Sequence, residues 1–125
     1  MSLLDPINTK AFSDIFSGGT RETAVKAVSG SVTDSTVKAP SASQKIAVHG
    51  LTVSASAITT VTIKLGGVNV YTFYMAANST VSPNIPWHNP PLGGKGKALT
   101  ISSTAGSVSV SANVLLVDVA PLSSI

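Results

Sequence analysis

Two histidines, His49 and His88, are the residues of this 125-residue chain best suited to acid–base or metal chemistry, and they fall in different segments without ligand spacing. A transition-metal site needs several convergent N, O or S ligands. The chain has no Cys and only five Asp and Glu, so neither a metal site nor a thiolate nucleophile is expected. A Ser-His-Asp relay could be assembled on paper from His49 or His88 with Asp118, but Ser is too abundant here to be informative. No Gly-x-Ser-x-Gly elbow accompanies it. Glycoside hydrolysis needs paired carboxylates, and beyond residue 30 the chain offers only Asp34 and Asp118. Gly93-Gly94-Lys95-Gly96-Lys97 suggests a phosphate cradle, yet Pro91 and Ala98 stand where the Walker pattern needs Gly and a hydroxyl. It reads as a flexible loop entering the strand Ala98-Leu99-Thr100-Ile101, with both Lys solvated. Asn78-Ser79-Thr80 matches a glycosylation acceptor but reads as a polar turn. The sequence therefore predicts no enzyme and no cofactor.

One loop keeps a binding reading. Pro83-Asn84-Ile85-Pro86-Trp87-His88-Asn89-Pro90-Pro91 carries four Pro, which exclude a central strand. Trp87, His88 and Asn89 could form a small recognition site for sugar or protein, combining an aromatic plate with imidazole and amide donors. The competing reading has Trp87 plugging the open end of a sandwich.

Composition narrows the class further. Apolar residues make up 43% of the chain and mean hydropathy is +0.38, enough to build a core. Charged residues make up only 10%, against roughly 25% in ordinary domains, so the surface is either covered by Ser and Thr or buried against partners. The first 34 residues carry four acidic against three basic side chains, and the remainder carries five Lys against Asp118. Five dispersed Lys make no polybasic patch, and nucleic acid is not an expected partner. No apolar run approaches the roughly 18 residues of a membrane span. Asp5 and Pro6 stand where a signal peptide would need basic and apolar stretches, so synthesis in a cytoplasm is expected.

The elements that must position these residues divide at Gly18-Gly19. Leu4, Ile7, Ala11, Phe12, Ile15 and Phe16 recur three or four apart, predicting a short helix with Asp5 as cap and Pro6 in its first turn. So short a helix needs a surface, either its own domain or another protein, which makes residues 1–20 an arm. Residues 21–125 read as an all-β sandwich of short strands separated by turns. Early strands are Arg21 to Val28 and Val32 to Lys38. In the strand from Gln44 to Ala55 the alternation breaks, and a bulge at His49-Gly50 would return Ile46, Val48, Leu51 and Val53 to one face. That makes His49 a bulge residue rather than a ligand. Val61, Ile63 and Leu65 alternate with Thr60, Thr62 and Lys64 before the hairpin turn Gly66-Gly67. If Leu65 pairs with Val68, then Val68, Val70, Thr72 and Tyr74 face the core, and Tyr71, Phe73 and Met75 face out. In the last strand Val108, Val110, Ala112, Val114 and Leu116 face in. The outward set begins as Ser107, Ser109, Ser111 and Asn113 and ends as Leu115, Val117 and Val119. Outward apolar groups of this size mark a contact surface.

The runs Gln44 to Ala55, Thr59 to Lys64, Met75 to Asn78 and Gly96 to Ile101 resemble the small jelly-roll structural proteins of tailed bacteriophages. They are similar to capsid decoration, or cement, proteins that form trimers of TNF-like sandwiches. The resemblance covers roughly residues 44 to 118 and implies an antiparallel jelly-roll β-sandwich following the arm. It implies a non-enzymatic virion protein whose partners are two further copies of itself and the major capsid protein, on whose outer surface it stabilises the head. Tyr71, Phe73, Met75, Leu115, Val117 and Val119 would then pack around the three-fold axis. Leu4, Ile7, Phe12, Ile15 and Phe16 would clamp the capsid. The same fold is similar to receptor-binding tips and lectin-like modules, where Trp87, His88 and Asn89 would face a glycan.

Overall fold

The computed structural model of the chain describes residues 20–86 and 88–118. Eight strands occupy them: β1 (Thr20–Ser29), β2 (Val32–Lys38), β3 (Gln44–Ala55), β4 (Thr59–Leu65), β5 (Val68–Met75), β6 (Ser79–Val81), β7 (Leu99–Ser103) and β8 (Ser107–Asp118). They form two four-stranded antiparallel sheets, ordered β1-β8-β3-β6 and β2-β7-β4-β5. Each sheet draws strands from both halves of the chain, and this order is the double Greek key of a jelly roll. The all-β sandwich expected from the turn spacing is the architecture found. Leu4, Ile7, Phe12, Ile15, Phe16, Trp87 and Val119 lie outside the described residues.

Period-two alternation builds the core. In β4, Thr59, Val61, Ile63 and Leu65 are buried while Thr60, Thr62 and Lys64 are half-exposed. Facing them across the sandwich, Val108, Val110, Ala112, Val114 and Leu116 of β8 point inward. Removing each such Val, Ile or Leu from water contributes about 1.5–3 kcal/mol before entropy is counted. The β3 bulge falls where the broken alternation placed it. The register with β8 shifts between Val48 and Gly50, leaving His49 as the extra residue. Ile46 and Val48 before it and Leu51 and Val53 after it all enter the core.

A second bulge reverses the expected orientation of β5. Leu65 does pair with Val68, but the register shifts between Ile63 and Lys64, so that Ile63 meets Tyr71 while Lys64 meets Asn69. Val70 is the extra residue, and one extra residue exchanges the two faces of everything beyond it. Met75 is therefore 5% exposed and belongs to the core, with Tyr71 and Phe73 packed against it. Their rings stack, with centroids 5.7 Å apart. Tyr74, expected inside, stands 84% exposed, and Val68 at the turn is 67% exposed.

The Pro-rich loop has a structural job at the edge of the first sheet. β6 covers only the end of β3, at Val53 to Ala55. Beside the beginning of β3, Val48 N–H donates to the Pro91 carbonyl at 2.9 Å, Gly93 N–H donates to the Ile46 carbonyl at 2.9 Å, and Gly96 N–H donates to the Gln44 carbonyl at 2.8 Å. The expected loop after Pro91 is thus tied down along β3 instead of hanging free, with Lys95 and Lys97 exposed. Pro91 suits its place because its carbonyl, and not a missing N–H, is the group used.

Candidate interaction surfaces

The outer face of the β1-β8-β3-β6 sheet changes character along its strands. At one end it is a ladder of hydroxyls: Ser54 and Thr80 lie 2.9 Å apart, Thr52 and Ser82 3.0 Å apart, and Ser107, Ser109 and Ser111 continue it on β8. At the other end Leu115 pairs across with Ala47 of β3, and these residues are 5% and 0% exposed. Leu92 bridges to Ala47 from the edge, and Val117 beside them is half-buried. The expectation that β8 begins wet and ends covered holds for Ser107 to Val117.

Between these two halves lies a concavity of about 410 Å³ lined by Arg21, Glu22, Thr23, His49, Asn113 and Val114. The β3 bulge brings His49 to it, and the β1–β8 register places Thr23 opposite Asn113. Thr23 Oγ1 donates to Asn113 Oδ1 at 3.0 Å, which leaves the Asn113 amide nitrogen over Gly50. A Cβ at Gly50 would lie 2.9 Å from that nitrogen, so the small residue at the bulge and the amide on β8 are matched. Burial, and then the nearby Arg21 charge, hold the His49 pKa below its ordinary 6.5. Sequence reading gave His49 its place in the bulge. It missed Arg21 and Asn113 as its neighbours, because strand order is not a local property.

The other face of the molecule is nearly neutral. On the β2-β7-β4-β5 sheet Lys64 Nζ pairs with Asp34 Oδ1 at 3.1 Å, and the Ser102 hydroxyl also reaches that carboxylate. Thr60, Thr62, Thr72 and Tyr74 complete the surface of β4 and β5.

No catalytic constellation is assembled among the described residues. Asp118 sits opposite Gln44 and accepts from its Nε2 at 2.9 Å. His49 is five residues further along β3, on the order of 16 Å away at strand rise, so the pair drawn on paper is not brought together. No three His, Cys, Asp or Glu side chains converge among the described residues. His88 and Asn89 are both exposed, and Asn89 N–H donates to the Pro86 carbonyl at 3.1 Å in a tight turn. Of the six residues expected around a three-fold axis, Tyr71, Phe73 and Met75 turn into the sandwich because of the β5 bulge, and that outward apolar set does not exist.

The chain matches no protein-family model and no curated protein sequence. Among solved structures it is similar to a protein of Bacillus endospore appendages, described as a novel family of disulfide-linked pili. The identity is 17%, covering 82% of this chain and 89% of that one, with a TM-score of 0.49. It is also similar to a chain of the virus-like particle of the extra small virus of the giant freshwater prawn Macrobrachium rosenbergii. There the identity is 14%, covering 79% of each chain, with a TM-score of 0.40.

Proposed function

We propose that this chain is a non-enzymatic structural protein of a virion that seats on the outer surface of a capsid shell and stabilises it. The observation that carries this reading is the strand order β1-β8-β3-β6 over β2-β7-β4-β5, the jelly roll shared by viral capsid domains. The reading rests on architecture and surface rather than on a catalytic constellation. Its surfaces are of the right kind. A face of Ser and Thr hydroxyls with few charges can pack against another protein with little charge desolvation, whereas burying unpaired Lys or Glu is costly.

The test is co-sedimentation of the purified chain with capsids of the virus that encodes it. The chain is expected to pellet with intact shells at a fixed stoichiometry and to raise the temperature at which they open. A chain that stays in the supernatant at every ratio removes the proposal.

A further inference from the structure

The four edges of the sandwich are not equally protected. A free strand edge exposes unpaired N–H and C=O groups and invites another strand to add. On β1, Glu22 and Lys26 point inward opposite Val114 and Val110, and a strand laid alongside would bury their half-exposed charges. On β2 the register with β7 shifts twice, and Asp34 takes a left-handed backbone with φ of 50°, so no straight ladder is offered. β6 is only three residues long, and the rest of that edge is covered by the segment around Pro91.

β5 is different. It runs for eight residues, Val68–Met75, without a charged residue or a proline. Among the described residues it pairs with β4 alone, and no backbone hydrogen bond from a loop reaches it. Its one irregularity is the bulge at Val70, near the hairpin, which leaves Tyr71–Met75 regular. That stretch is Tyr-Thr-Phe-Tyr-Met, in which the first four residues are aromatic or β-branched and suit a strand. Tyr71 and Phe73 are only partly buried where they pack on the core, and Tyr74 is 84% exposed, so apolar surface follows the open edge. A groove of about 370 Å³ lies along it, lined by Thr72 to Ala76 and Ser79 to Val81.

We propose that a second copy of this chain adds to this edge, β5 against β5 in antiparallel register over Tyr71–Met75, to form a two-fold dimer. An uncharged edge selects no oppositely charged partner. It does suit its own copy, because no like charges are brought opposite one another and the same half-covered aromatics are buried on both sides. Lys64, the cation on the neighbouring strand, is already paired with Asp34, so the outer face adds no repulsion. The two four-stranded sheets join into one sheet ordered β2-β7-β4-β5-β5-β4-β7-β2.

The inference stands apart from capsid binding and is tested separately, by sedimentation equilibrium of the full chain over a range of concentrations. The expected result is a mass rising from one chain to two. In this register position 72 of one copy faces position 74 of the other, so the double variant Thr72→Lys with Tyr74→Lys, at two exposed positions of β5, sets like charges opposite one another across the shared edge. It is expected to raise the dissociation constant on the order of ten-fold or more, with the far-UV circular dichroism unchanged. If that spectrum is disturbed, Thr72→Glu with Tyr74→Glu asks the same question with charges of the other sign. A chain that stays monomeric, assembles in threes, or forms a dimer indifferent to these opposed charges overturns the proposal. A monomer that still pellets with capsids would sink this inference alone.

Discussion

His49 occupies the extra position of the β3 bulge, beside Arg21 and across from Asn113, and its pKa is held down by burial first and by the Arg21 charge second. A histidine that resists protonation in the folded state but not in the unfolded one weakens the fold in acid. Above the unfolded value of 6.5 both states are neutral there and nothing is lost. As pH falls below 6.5 the unfolded chain takes up a proton that the folded chain refuses, and stability declines until the lower folded pKa is passed. Scanning calorimetry should therefore show a melting temperature that drops between about pH 7 and pH 5. His49→Gln is expected to flatten part of that drop, and an unchanged slope in the variant would show that His49 has no share in it.

Bulges in β3 and β5 have opposite histories in the sequence, and the reason is physical. Around His49 each register alone would send two of Ile46, Val48, Leu51 and Val53 to the outer face, so the apolar pattern demands an extra residue. In Val-Asn-Val-Tyr-Thr-Phe-Tyr-Met both registers offer apolar residues to the core, Val68, Val70 and Tyr74 in one and Tyr71, Phe73 and Met75 in the other. Local pattern cannot choose between them, and the choice falls to packing against β4 and the core. The strands themselves, the Gly66-Gly67 hairpin and the covered end of β8 were legible because each depends on neighbours in sequence. The juxtaposition of Arg21, His49 and Asn113 depends on β8 lying between β1 and β3, which no window of residues states. Edge protection is a second property of elements. Glu22 also bonds Lys38 of β2 at 2.6 Å, fastening the two edge strands of that side. Replacing the inward charges of β1 by Glu22→Val and Lys26→Val should turn a guarded edge into a sticky one. The double variant is expected to form large, concentration-dependent assemblies by light scattering, and a variant as soluble as the parent would show that these charges do not guard it.

Across the whole molecule the dominant contacts are remote in sequence. β8, the last of the eight strands, lies inside its sheet, pairing with β1 along Thr20 to Ser29 and with β3 along Gln44 to Ala55. Closing such long loops before any pairing rewards them makes all-β topologies slow. Stopped-flow refolding from denaturant is expected on the order of milliseconds to seconds. A phase complete in microseconds would mean that the β4–β5 hairpin, and not the β1–β8–β3 assembly, sets the rate. The β1–β8 pairing also decides how the molecule answers to force. Thr20 opens β1 directly opposite Leu116 near the end of β8, so traction applied through these two ends separates the strands from one side. The hydrogen bonds then break one after another, as in a zip, instead of resisting together in shear. Tension through the backbone ends would open the sandwich at its weakest geometry, whereas load spread over the sheet faces is borne by the packed core. A protein built this way holds by its surfaces and would fail as a tether.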